Sequence, residues 1–311
     1  MGSAMQQRLY ILDTGFSLPD RVGSIQSCLT DGRDLRTVLG GLKQNPDGIA
    51  IDHQAGRMYW TNMGTKLEND DGSIETARLD GSDRRVVVPT GNVGVFTPKQ
   101  IALAPKSHKL YWCDREGMKV MRANPDGTER EVLVSTGSTA ADREDTTRHC
   151  VGIAVDESKG CFYWTQKGAS KGNGGRIFRS PIETPAGVAP EDRPREAILG
   201  GLPEPIDLEV EEASQTLFWT DRGDPPRGNT LNRISLAELA AAAKAGGQPL
   251  KSDILARRLH EAIGLSVDHK SGKAFVADLA GGVYSIDLET REKTVLFPEL
   301  GDLTGVALAH L

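Results

Sequence analysis

Short apolar runs broken by polar turns fill the chain, and they recur in a fixed order. An alternating run with Ile or Leu at its centre comes first, as in Gly48-Ile49-Ala50-Ile51-Asp52 and Gly152-Ile153-Ala154-Val155-Asp156. A polar turn follows, then a run built on an aromatic pair. The five cores are Tyr59-Trp60-Thr61-Asn62, Tyr111-Trp112-Cys113-Asp114, Tyr163-Trp164-Thr165-Gln166, Phe218-Trp219-Thr220-Asp221 and a degraded Phe275-Val276-Ala277-Asp278. They recur about every 52 to 57 residues, and each of the four tryptophans holds the same place in its core. A period-2 pattern in runs this short predicts strands. A third strand is predicted at 73–79, 119–123, 176–182, 232–236 and 282–288. Asp-Gly turns at Asp80-Gly81 and Asp126-Gly127 lead to a fourth, which is a strong hairpin signal. Self-similarity at this period predicts stacked four-stranded units rather than separate domains.

The chain ends supply one more unit. Strands b, c and d are predicted at 9–13, 24–29 and 36–39, with no strand a before them. The missing strand is Gly305-Val306-Ala307-Leu308-Ala309. The expected fold is all-β: a six-bladed β-propeller of four-stranded antiparallel blades, closed by the C-terminal strand joining the first blade. Residues 1–311 form one domain in this reading, with 1–5 an added cloning leader and Met5 the native start. A native signal could have been trimmed there.

Composition narrows the function. Hydrophobic content of 38% and 35 glycines suit an all-β chain with many turns. A net charge of −6 argues against nucleic acid or an anionic membrane as partner. No apolar run is long enough to span a bilayer, and no signal peptide is visible. Cys28, Cys113, Cys150 and Cys161 lack metal or disulfide spacing, so buried thiols and a cytoplasmic setting are expected. Phosphate-loop, GxSxG and HExxH motifs are absent.

The repeats resemble the YWTD class of six-bladed propeller found in lipoprotein-receptor ectodomains. The residues that carry the likeness are Tyr59-Trp60-Thr61, Tyr163-Trp164-Thr165 and Phe218-Trp219-Thr220-Asp221, with Ile49-Ala50-Ile51-Asp52 and Ile153-Ala154-Val155-Asp156 upstream. The cysteine-rich modules that flank receptor propellers are missing from this sequence, and Asn62 and Gln166 replace the terminal Asp in two blades. The resemblance implies the fold over nearly the whole chain. The aromatic pairs read as core, because alternate strand residues face neighbouring sheets. The motif Thr and terminal Asp are expected to bond backbone in the following turn. Asp52, Asp156 and Asp268 are expected to hold the a–b turns.

Chain direction sorts the loops. The d–a and b–c connections share the face where strand a begins, called upper here. It carries the long segments 14–23, 63–72, 89–96, 135–148, 167–175 and 222–230. On the lower face, blade 5 carries a poly-Ala helix from Ser235 to Gly246. Long loops on a rigid scaffold usually carry recognition.

Four residues before the central apolar residue of strand a, the six units place Asn45, Thr97, His149, Glu204, Glu261 and Asp302. Immediately before it stand four glycines, with Gln100 and Asp207 as exceptions; one place after it, Glu209 interrupts a series of Ala and Ser. This predicts a carboxylate ring with one imidazole at the upper mouth. His149, Glu204, Asp207 and Glu261 are the catalytic candidates, with His149 as general base, its pKa raised by the carboxylates. Asn45, Asp47, Gln100, Glu209 and Asp302 would bind substrate. Glu204, Asp207 and Glu261 could instead hold a divalent cation such as calcium; no organic cofactor is expected.

Two functions fit. One is a stand-alone enzyme hydrolysing, eliminating or isomerising a small organic molecule. It is similar in plan to six-bladed propeller lactonases and condensing enzymes. The other is a non-catalytic recognition module that binds a protein segment or a small ligand on the same face. The first should have an enclosed pocket, the second a broad apolar patch.

Overall fold

A computed structural model describes residues 6–244 and 251–311. The proposed leader and the last part of the expected blade 5 helix lie outside the described residues.

Six four-stranded antiparallel sheets form the ring. Strand a is Pro46–Asp52, Pro98–Leu103, Cys150–Asp156, Pro205–Glu211 and Ala262–Asp268 in blades 2 to 6. In blade 1 it is the C-terminal Leu303–His310, paired with Gln7–Asp13 so that Tyr10 faces Ala307. The ring is therefore closed by hydrogen bonds between the chain's two ends, which removes a free sheet edge. The helix of blade 5 runs over Leu236–Lys244, directly after strand c. A short helix not foreseen from sequence, Ala140–Glu144, sits in the d–a segment of blade 3, capped by Thr139 and Asp142 in a reciprocal box.

The core lies between blades. Trp60, Trp112, Trp164 and Trp219 are each at most 1% exposed, so no face is left for a ligand. Trp60 packs with Tyr10 and Ala307 of blade 1, and Trp164 with Tyr111 and Cys113 of blade 3. Trp164 also stacks on Phe178 with centroids 5.2 Å apart.

Every strand a begins with an irregularity in its pairing to strand b: between Pro46 and Ile49, Pro98 and Ile101, Cys150 and Ile153, Pro205 and Leu208, and Ala262 and Gly264, with a matching shift opposite Leu12 and Asp13. Such bulges re-aim the residues beside them. The motif threonines fill the gaps. Thr61 Oγ1 accepts the Gly48 N–H at 2.9 Å and donates to the Lys99 carbonyl at 2.7 Å, tying blade 2 to blade 3. Thr165 and Thr220 repeat the bond to Ile206 and Ile263 of the next blade. Their partners are thus inner strands, not the following turn.

The terminal Asp side chains do cap loops: Asp114 accepts from Phe96, Thr97 and Gly117 N–H groups. Asp52, Asp156 and Asp268 hold the a–b turns as expected, Asp52 through the N–H groups of Gln54 and Ala55. The glycine before the central apolar residue is required by close approach. A Cβ on Gly152 would lie 2.0 Å from the Ile206 carbonyl oxygen.

Candidate functional site

The bulges decide what meets at the upper end of the axis. Of the expected ring, Asn45, Thr97 and Asp302 bond through their side chains to residues of the surrounding loops. Asn45 Nδ2 donates to the Gly64 carbonyl at 2.7 Å, from a left-handed backbone with φ of 50°. Thr97 bonds Glu116. Asp302 accepts from Ser17 N–H and Oγ at 2.7 and 2.8 Å. Glu261, also left-handed at φ 59°, is held through its N–H by Asn229.

Glu204 is enclosed by cations. Its carboxylate meets Lys167 Nζ at 3.0 Å and Arg222 Nε at 2.9 Å, and accepts the Lys171 N–H at 3.1 Å. Burial opposes its charge, but Arg222 and Lys167 outweigh burial and hold it below the ordinary carboxyl range. His149 Nε2 is 2.8 Å from the Arg143 carbonyl and therefore carries the ring proton. Burial lowers its pKa, and Arg115 and Lys167 oppose protonation further, so the expected upward shift is reversed.

The residues two places before the central apolar one form the true inner ring. They are Asp47, Lys99, Val151, Ile206, Ile263 and Thr304. Val151, Ile206 and Ile263 cluster with Leu279 as an apolar plug. On the other side Lys99 Nζ pairs with Asp47 at 2.9 Å, and Gln100 Nε2 reaches Asp47 and the Thr304 carbonyl. Burial lowers the Lys99 pKa to about 8 even with Asp47 beside it. Above this ring sit the residues just after strand b: Met63 against Lys99, Leu279 against the plug, and Arg115, Lys167 and Arg222 from blades 3, 4 and 5. This basic sector lies outside the starts of strand a and is not legible from them. The signal was available, because the residue after the aromatic core is basic in three successive blades. Arg115 and Arg222 each use only Nε within the described residues, toward Glu116 and Glu204. Both leave their terminal NH₂ groups for a ligand.

Asp207 and Glu209 lie deeper, below the plug. Asp207 accepts the Leu208 and Leu265 N–H groups, both at 2.9 Å. Glu209 accepts the Val267 N–H at 2.8 Å. Burial raises both carboxyls, Asp207 far above its usual range. They line a cavity of about 290 Å³ with Ile49, Ile101, Ile153 and Leu265. His53 and Glu212 stand at its rim, so it opens on the lower face, opposite to the expected mouth. The cation site expected from Glu204, Asp207 and Glu261 is corrected by this separation. Among the described residues no three acidic, histidine or cysteine side chains converge to hold a metal. No described helix is long and apolar enough to cross a membrane.

No family model matches the chain. It is 57% identical over 312 positions to a Pyricularia oryzae protein named low-density lipoprotein receptor-related protein 1, covering 99% of this chain and 100% of that protein. It is 41% identical over 310 positions to the 3-hydroxyacyl-CoA dehydrogenase-like protein LAM1 of Cochliobolus heterostrophus, covering 97% of this chain but only 64% of that longer protein. Among solved structures it superposes on a chain from a nidogen/laminin complex with a TM-score of 0.72, at 20% identity over 97% of this chain and 98% of the other, a likeness of fold alone. With the aromatic repeats and closed ring described above, the chain belongs to the low-density lipoprotein receptor-related family of YWTD-type six-bladed β-propellers.

Proposed function

We propose that the protein is a recognition module that takes an acidic side chain of a protein segment at its upper axial mouth. The observation that carries this reading is the pair of guanidiniums, Arg115 and Arg222, whose terminal NH₂ groups are uncommitted while their Nε atoms are fixed by Glu116 and Glu204. Guanidiniums oriented in this way suit bidentate recognition of a carboxylate. The nidogen neighbour was solved in a complex with laminin, which supports protein binding by this kind of ring. The enzyme reading has less support. Glu204 is held as a carboxylate by Arg222 and Lys167, and His149 is buried with its pKa lowered, so neither is set up as a strong base. Four buried free thiols support a cytoplasmic setting.

The test is selection from a random-peptide display library on immobilised protein. Enriched peptides should share an Asp or Glu, and Arg115→Ala with Arg222→Ala should weaken them on the order of 10- to 100-fold. A consensus without an acid, or affinity unchanged in the double variant, would overturn the reading.

A further inference from the structure

The cavity at the opposite end of the axis is not used by that function. It is blind. Its lining begins at Asp207 and runs down strand a to the a–b turns, and none of the plug residues above takes part. Its wall is divided. Above the rim, blades 1 to 4 contribute only apolar side chains, among them Ile49, Ile51, Ile101, Ile153 and Val306. Besides Glu212 at the rim, blade 5 contributes two carboxyl groups on the wall, Asp207 and Glu209, at the two positions where the other five blades carry Gly or Gln and Ala or Ser.

The sequence did not need acids there to build the fold, because Gly and Ala serve the same geometry elsewhere in the ring. Each carboxylate oxygen of Asp207 accepts one backbone N–H, and Glu209 Oε2 accepts another. The bonds fix the orientation of both groups and leave lone pairs for a further donor. Glu209 Oε1 lies 3.5 Å from His269 Nε2, and His53 and Glu212 complete the polar rim. Glu212 is itself matched by Lys106 at 2.6 Å. A pocket of about 290 Å³ is at the small end of the range for organic ligands.

We propose that this cavity binds a small primary amine with an apolar body, its ammonium placed between Asp207 and Glu209 and its hydrocarbon against the isoleucines of blades 2 to 4. Burial opposes charge on both carboxyl groups, and an ammonium placed between them supplies three donors and the positive charge that offsets this cost. A carboxylate would be repelled. A neutral alcohol would gain the apolar contact but supply no charge to the carboxyl groups.

The probes are cyclohexylmethylamine, cyclohexylmethanol and cyclohexanecarboxylate, followed by methyl NMR of the intact protein. The amine should shift the methyls of Ile49, Ile51, Ile101 and Leu208 at a few millimolar, as expected for a ligand of so few atoms. Glu209→Gln, which keeps an acceptor for the Val267 N–H, should weaken the amine on the order of 10- to 100-fold. Ala102→Leu, which narrows the cavity without touching a charge, should abolish the shifts. Equal binding of the three probes, no shift from any of them, or unchanged amine affinity in Glu209→Gln would each overturn the proposal. Binding of a lysine-containing peptide at the lower rim without binding of the free amine would also overturn it, in favour of a protein ligand. None of these outcomes bears on the peptide selection at the upper mouth.

Discussion

Thr165 of blade 4 donates its hydroxyl to the carbonyl of Ile206 in blade 5 at 2.8 Å, while the same oxygen accepts the Gly152 N–H at 2.7 Å. One side chain thus closes the bulge in its own blade and joins it to the next. Thr165→Val keeps the shape and leaves a buried N–H and a buried carbonyl unpaired. The expected cost is about 2–4 kcal/mol, seen as a Tm lower by several degrees. The exposed Thr37→Val is the control. A loss no larger than the control's would remove the latch from the account.

The pair Lys99 and Asp47 should behave as a unit. Both are buried, 2.9 Å apart, in the ring that closes the upper axis. Lys99→Met strands the Asp47 charge and should cost about 3–5 kcal/mol in denaturant unfolding. Adding Asp47→Leu should recover most of that loss, since an apolar pair would extend the plug of Val151, Ile206 and Ile263. If the double variant is as unstable as the sum of the singles, the two residues are not coupled.

The blades were legible because a strand's period and an aromatic every 52 to 57 residues survive any local irregularity. Even the closing strand at 303–310 was visible as the one unit lacking a partner at the other end. The mouth was not legible, for a local reason. Simple alternation carries Asn45, Glu204 and Asp302 toward the axis, but the bulge before Ile49 and Leu208, and its counterpart in blade 1, turns them into loops. The equivalent bulge of blade 3, between Pro98 and Ile101, brings Lys99 inward. Asp207 and Glu209 were correctly singled out as unlike their counterparts, yet they lie below the plug rather than at the mouth.

Two histidines should titrate on opposite sides of the ordinary value of 6.5. Burial lowers His149, and its Nε2 proton is held by the Arg143 carbonyl. Burial also works against charge on His269, but Glu209, Glu211 and Asp268 outweigh it and raise that ring. In one NMR pH titration the His149 midpoint should fall below 6.5 and the His269 midpoint above it. The sign for stability follows. His269 contributes stability that is full below its unfolded pKa and is lost as pH rises through its folded pKa. Glu211→Gln, beside Nδ1 at 3.3 Å, should pull the His269 midpoint down and leave His149 unmoved. A joint shift of both would refute the local origin.

Asp221 provides the sharper pH test. It is buried at the end of the blade 5 core and accepts the Glu204 and Gly223 N–H groups. Burial lifts its carboxyl from 3.8 to about 7, with the Glu204 charge adding to the effect. The folded chain therefore holds a proton that the unfolded chain has released across that window, so this group's contribution to stability falls as pH rises from about 4 to about 7. Asp221→Asn keeps an acceptor for both N–H groups and cannot ionise. Asn62 already fills the same position in blade 2, where its Nδ2 finds Ser73 and Glu75. The variant's stability relative to the native protein should therefore rise between pH 5 and pH 8, by at most roughly 3 kcal/mol, read as a growing difference in Tm. A difference that is flat across that range would mean that Asp221 ionises in the folded ring as readily as in water.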